Sequence, residues 1–195
     1  MMRGNPKIHL GMVLFLFLVS AGCATSSSKV VFRDPNMDFG SLQAVAVMPF
    51  TNLTRETSAG ERVRDVFMTM LQATGGVYVI PPGEVGRGIV RVSIERPASP
   101  TPEEVTKFAK VVSADAVFTG TVNEYGEVRS GTSAANVISV SLKLMEAQTG
   151  KVVWSASSTK GGVTTSDRLF GGGGEPMNAT TQKAVDDLLD KLFGK

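Results

Sequence analysis

The strongest constraint on the fold is a run of alternating residues in the last third of the chain. Four apolar residues alternate with polar ones, namely Ile138, Val140, Leu142 and Leu144 against Ser139, Ser141 and Lys143. A period of two predicts a β-strand with one buried and one wetter face. The preceding "DAVFTGTVNEY" predicts a strand that ends in a polar tip, and the turn "AQTGK" returns the chain into "KVVWSASST". The three segments predict an antiparallel meander.

The first half of the chain predicts short strands and helices. The stretches "LQAVAVMPF" and "VYVIPP" each predict a short buried strand closed by proline. Apolar residues at helical spacing in "AGERVRDVFMTMLQATGG" predict a core-facing helix that Gly75 and Gly76 end. Residues 84–96 stay open, because β-branched content favours a strand while an alternating β/α order favours a helix.

Two further helices complete the predicted fold. Thr101 as N-cap, Pro102 at the first helical position and Glu104 form a capping box. A last helix, "NATTQKAVDDLLDKLF", has an apolar stripe. The fold class is therefore α/β (α+β), a mixed sheet with a C-terminal antiparallel meander packed by helices. We interpret Trp154 as a core anchor rather than a ligand platform.

The N-terminus predicts a secretory leader. Arg3 and Lys7 precede an apolar segment from Leu10 to Ala21. As a helix this segment spans only about 18 Å, at about 1.5 Å per residue. A hydrocarbon core is about 30 Å thick, so the segment is too short for a permanent transmembrane helix. A basic start, a short apolar run and small residues before a boundary are typical of a signal peptide, here residues 1–22.

The boundary Ser20-Ala21-Gly22-Cys23 resembles the lipobox of bacterial lipoproteins. The resemblance implies cleavage after Gly22 and acylation of Cys23, which anchors the protein to a membrane. Two or more acyl chains hold a protein durably where one does not. The resemblance also favours the outer membrane, because Ala24 stands where a retention signal has Asp. The alternative is an ordinary secreted protein in which Cys23 occurs by chance.

Loss of the leader changes the composition of the working protein. Arg3 and Lys7 are two of the 20 basic residues, so the remaining 18 balance the 18 acidic ones and the net charge is zero. We therefore expect no nucleic-acid partner. His9, the one histidine, also lies in the leader. Its loss, together with acylation of Cys23, removes Ser-His-Asp and Cys-His nucleophilic sites, and zinc sites built on His or Cys.

Two features of the remaining chain suggest chemistry, and each has a simpler interpretation. The run Gly171 to Gly174 lacks the Lys-Ser/Thr of a phosphate-binding loop, so we interpret it as a mobile loop. Asp186, Asp187 and Asp190 permit a metal or acid/base role, but Lys183 and Lys191 offer i to i+4 partners on a solvated helix face. We expect no catalytic residue, no metal site and no cofactor.

The order of these segments resembles a known superfamily. "VAVMPFTN", "ADAVFTGTV" and "TGKVVWS" are its most telling pieces, and the likeness spans residues 42–193. The chain is similar to the small bacterial lipoproteins of the superfamily that contains the curli-secretion lipoprotein CsgG and the penicillin-binding-protein activator LpoB. Its core resembles the N-terminal domain of TolB. The resemblance implies architecture more firmly than task.

We expect three segments: the leader 1–22, a lipidated N-terminus and flexible tether 23–41, and one α/β domain 42–195. The favoured function is a membrane-anchored, periplasm-facing binding module with an envelope protein partner, and homo-oligomers are possible. Secretion, outer-membrane assembly and activation of a partner stay open as its task. The alternative is a periplasmic-face enzyme that uses carboxylate, Ser or Lys groups.

Cys23 should determine location and not folding, because the tether lies outside the packed domain. We expect Cys23→Ser to give a leader-retaining or soluble protein. Fractionation of the cell envelope measures its location, and thermal unfolding should give nearly the wild-type midpoint. A large loss of thermal stability would contradict this prediction.

Overall fold

The computed structural model describes residues 31–163 and 174–194, and it contains one mixed sheet of seven strands. The strand order is β1-β7-β6-β5-β2-β4, and β3 pairs with β5 beside this path. The strands are β1 (Val31–Arg33), β2 (Ala44–Val47), β3 (Thr51–Asn52), β4 (Tyr78–Val79), β5 (Ala116–Ser130), β6 (Ser133–Glu146) and β7 (Val152–Gly161).

Helices cover both faces of this sheet. They are α1 (Ala59–Ala73), α2 (Pro82–Val92), α3 (Pro102–Val112) and α4 (Met177–Phe193). Alternate residues of β2 point to opposite faces: Val45 and Val47 pack in the core with α1 and α4, while Ala46 packs in the core with α2 and α3. The structure thus confirms the predicted α/β class, with an antiparallel β5-β6-β7 meander packed by helices.

The predicted capping box is present at the start of α3. The Thr101 hydroxyl accepts a hydrogen bond from the Glu104 amide at 3.2 Å, and the Glu104 carboxylate accepts one from the Thr101 amide at 2.7 Å. Two orphan donors of the first turn are therefore satisfied. The short signal "TPEE" was enough to place this helix.

Residues 84–96, which the sequence left open, lie largely in α2. Val85 and Gly88 are its buried residues, and Gly88 lies close to Phe108 and Val112 of α3. Ser93 ends the helix in the left-handed conformation, with φ of 60°. Packing against α3 selects the helix over the strand that the β-branched content favoured.

The predicted tether 23–41 is wrong for its second half, residues 31–41. β1 pairs antiparallel with β7, with Val31 opposite Ala156 and Arg33 opposite Trp154. A short 3₁₀ turn at Phe39–Ser41 follows, capped by the Asp38 side chain. The segment is held in place because a sheet edge was available to pair with its β-branched and aromatic start.

The polar tip predicted after "DAVFTGTVNEY" is also corrected, since β5 and β6 continue as a paired ribbon. The ladder runs as far as Ser130 opposite Ser133. Its register shifts between Val122 and Glu124, which marks a β-bulge at Asn123. We call residues 124–139, beyond this bulge, the distal ribbon.

A row of aromatic rings crosses the larger core. Phe50, Phe67, Phe118 and Trp154 lie in sequence, with successive ring centroids 6.2, 5.0 and 6.4 Å apart. Trp154 is 1% exposed, and its indole N–H donates to the Lys191 carbonyl at 3.4 Å. The interpretation of Trp154 as a core anchor is confirmed.

Gly120 of β5 makes room for this row, and we expect Gly120→Ala to destabilise the domain. A Cβ atom there would lie 2.7 Å from two ring atoms of Phe50 and 2.8 Å from a Leu142 methyl. Overpacking of this kind costs about 1–3 kcal/mol. Urea denaturation measures the loss. Gly86→Ala on α2, where nothing lies within 4 Å of the new Cβ, is the control and should gain up to about 1 kcal/mol. Equal stability of the two variants would contradict the prediction.

Candidate functional site

An apolar pocket of about 290 Å³ lies where the N-terminal segment crosses the larger core. Its walls come from seven elements, namely β1, the 3₁₀ turn, β2, α1, β5, β6 and α4, which places it at a meeting point of the fold. The lining includes Val45 of β2, Leu71 of α1, Phe118 of β5, Leu144 of β6 and Leu192 of α4. Phe193, which is 41% exposed, and Val77 also line it. Such a pocket can hold an apolar group of a ligand.

Arg33 is the charged residue of the pocket lining. Its position follows from the pairing of β1 with β7. The guanidinium donates to the Leu192 carbonyl at 2.7 Å and lies over the Phe39 ring, with 3.8 Å to the ring centroid. These contacts join the N-terminal segment to the end of α4. Sequence reasoning missed this site, although the run "VVFR" carried a weak strand signal.

An open strand edge is the second candidate feature. β3 pairs with β5 only at Thr51 opposite Thr121 and Asn52 opposite Val122. Within residues 31–163 and 174–194, β5 beyond this point pairs on one side only, with β6. The backbone from Glu124 to Ser130 therefore presents an edge that another strand can join.

The three aspartates of α4 do not converge. Asp186 is exposed, as the solvated-face interpretation predicted. Asp187 differs, because it forms ion pairs with Lys191 and, at 3.2 Å, with Lys160. Lys183 pairs with Glu175 and not with Asp187. Among the described residues, no group of His, Cys, Asp or Glu has the arrangement of a metal site.

Ser158 lies beside Asp187. Together with Lys191 they supply the three kinds of group that the alternative of a periplasmic-face enzyme requires. The Ser158 hydroxyl is buried and has no partner in hydrogen-bond geometry, yet it lies close enough to favour the charged carboxylate. Burial alone would raise the pKa of Asp187. Lys191, Ser158 and Lys160 outweigh it and lower the pKa to about 2. A carboxylate with this low pKa is a weak base at neutral pH, and the buried hydroxyl of Ser158 is out of reach of a substrate.

Other sequence predictions fall outside the described residues. These are cleavage after Gly22, acylation of Cys23, and the glycine run up to Gly173. In residues 31–163 and 174–194, no helix combines the length and hydropathy needed to cross a bilayer.

These features define a three-layer α/β domain whose accessible sites, a pocket and a strand edge, suit binding. A family model described as "Putative lipoprotein GNA1162-like" matches residues 39–193. The chain therefore belongs to the GNA1162-like family. The predicted resemblance to small bacterial lipoproteins is confirmed by this family match. The predicted resemblance to the curli-secretion lipoprotein CsgG stays a prediction. A comparison with curated proteins found no match.

Solved structures share the fold at low sequence identity. Lipoprotein GNA1162 from Neisseria meningitidis has a TM-score of 0.56 at 17% identity, over 78% of this chain and 99% of that one. The PelC dodecamer from Paraburkholderia phytofirmans has a TM-score of 0.55 at 20% identity, over 83% and 95%. Hypothetical protein CT253 from Chlamydia trachomatis has a TM-score of 0.51 at 13% identity, over 79% and 97%.

The ion pairs of Asp187 should make stability depend on pH in acid. Because the pKa of Asp187 in the folded protein, about 2, lies below its ordinary value of 3.8, the contribution of these ion pairs to the free energy of unfolding is complete above about pH 4 and is lost as pH falls towards 2. The full shift corresponds to about 2 kcal/mol. Urea denaturation between pH 2 and 7 should show that Asp187→Asn flattens this part of the profile.

Asp186→Asn is the matched control, since Asp186 is exposed and forms no ion pair among the described residues. It should keep the wild-type profile. A profile of Asp187→Asn that runs parallel to wild type down to pH 2 would rule out the proposed ion-pair contribution.

Proposed function

We propose that this protein is a lipid-anchored envelope lipoprotein that binds another envelope protein and performs no catalytic step. Two findings support the anchor: membership of a lipoprotein family and the Gly22-Cys23 boundary after a short leader. In this proposal the leader is cut after Gly22, and Cys23 carries acyl chains such as palmitate. The domain then faces the periplasm from the outer membrane.

The open edge of the distal ribbon is the observation that carries the binding function. Beyond the bulge at Asn123, β5 extends past the end of β3, and β6 is its one partner among the described strands. Its N–H and C=O groups on that side are available to an added strand. Val128, 39% exposed, offers an apolar contact beside them. The edge therefore has both the backbone and the side-chain elements of a strand-addition site.

The charges of the edge indicate the chemistry of the partner. Glu124 and Glu127 are exposed, and Arg129 is engaged with Glu127 at 2.8 Å. Charged residues on an edge discourage indiscriminate pairing. An added strand that carries Lys or Arg opposite Glu124 would be favoured over a neutral one. We therefore infer an extended, basic segment of an envelope protein as the occupant.

Binding is favoured over catalysis because of what the polar residues do. The cluster of Ser158, Asp187 and Lys191 is closed and ion-paired, as described above. It contributes to the packing of α4 on β7, whereas the strand edge is exposed. Secretion, outer-membrane assembly and activation of the partner are all compatible with strand addition at this edge.

Site-specific photo-crosslinking in intact cells tests the proposal. A photoreactive residue at position 128 should give one discrete adduct with a different protein. The matched control is position 90, because Val90 is 77% exposed but lies on α2. Adding Glu124→Lys to the position-128 chain should weaken the adduct, since the added charge repels a basic strand.

Three results would contradict the proposal. Equal adducts from positions 128 and 90 would mean that contact is unspecific. An adduct of twice the mass of the chain would assign the edge to a second copy, as in a homo-oligomer. An adduct unaffected by Glu124→Lys would mean that no basic residue of the partner lies opposite Glu124.

A further inference from the structure

We propose that the apolar pocket beside Arg33 binds one single-chain fatty acid, with the carboxylate at the Arg33 guanidinium. This inference goes beyond the proposed function and does not rest on it, because the strand edge and the pocket use different residues.

The walls suit an aliphatic chain. Phe39, Leu42, Val77 and Phe193 form the accessible apolar part of the lining, above buried side chains that include Leu71 and Leu144. Burial of apolar surface against such walls is favourable and needs no directional partner. A polar ligand body would lose hydrogen bonds with water and find few replacements there. The accessible lining therefore favours an apolar tail.

The positive charge of Arg33 favours a ligand with an anionic head group. No other charged residue lines the pocket within the described part of the chain. A guanidinium carries five N–H donors. Among the described residues, one hydrogen bond engages the Arg33 guanidinium, that to the Leu192 carbonyl at 2.7 Å. One face of the guanidinium lies over the Phe39 ring, but Arg33 is exposed, so its remaining N–H donors can meet a ligand. A planar carboxylate matches the planar guanidinium with two parallel hydrogen bonds.

The volume limits the ligand to a single chain. Ligand pockets usually measure about 300–1,000 Å³. At about 290 Å³ this pocket lies just below that range. A lipid with two acyl chains exceeds it, whereas one chain fits with its head at the rim. The exposed ring of Phe193 lies at the same pocket and extends the apolar surface towards solvent.

Native mass spectrometry of the full chain, with sub-micellar dodecanoate as the probe, tests this proposal. Wild type should bind one dodecanoate per chain and bind dodecan-1-ol, which lacks the charge, more weakly. Arg33→Gln should weaken dodecanoate binding about ten-fold or more, because a charge-assisted hydrogen bond is lost. Val77→Trp should abolish it by filling the pocket. Arg91→Gln, at an exposed arginine on α2, is the matched control and should bind as wild type.

Near-UV circular dichroism of each variant separates loss of binding from loss of fold. If folded Arg33→Gln and Val77→Trp bind dodecanoate as well as wild type, the pocket is not the site and the proposal is wrong. A second arm compares wild type with Cys23→Ser. Binding of dodecanoate to both chains supports a free fatty acid. Binding only to Cys23→Ser would mean that the protein's own acyl chain occupies the pocket, and would overturn the proposal.

Discussion

The domain depends on β5 having two different neighbours along its length. At its start β5 pairs in parallel with β2 on one side and antiparallel with β6 on the other. Gly120 has no side chain, so the Phe50 ring can lie against the strand at this position. Beyond Val122 only β6 remains as a described partner. One strand thus builds the core with its first half and the open edge with its second.

The end of β2 is fixed by an arginine that the sequence patterns did not reveal. Arg64 of α1 donates from Nη2 to the Val47 carbonyl at 2.6 Å and from Nε to the Met48 carbonyl at 3.0 Å. Burial lowers the pKa of this guanidinium, while Asp65 and Glu61 act in the opposite direction. The two carbonyls compensate part of the burial cost. Helix α1 and the break before Pro49 are therefore held together.

Local signals predicted the local elements. The alternation around Leu142 gave the meander, and the Thr101–Glu104 pair gave the start of α3. The wrong or open predictions concern segments whose conformation depends on contacts with distant parts of the chain. Val31 finds its partner Ala156 far along the chain, and Gly88 becomes part of a helix through its contact with Phe108. The pocket was unpredictable for the same reason, because its walls come from seven separate elements.

The ordered N-terminal segment changes what the proposed anchor can do. If the tether ran from Cys23 to Ser41, it would span at most about 65 Å; with β1 beginning at Val31, the eight residues from Cys23 span at most about 29 Å. A shorter tether holds the domain in a smaller volume and raises its effective concentration for partners at the same membrane. From Gly120 to Ser130 the strand advances about 33 Å at about 3.3 Å per residue. With the proposed anchor at Cys23, the strand edge would be confined to a layer next to the bilayer, where a membrane-bound partner would be met far more often than one free in the periplasm.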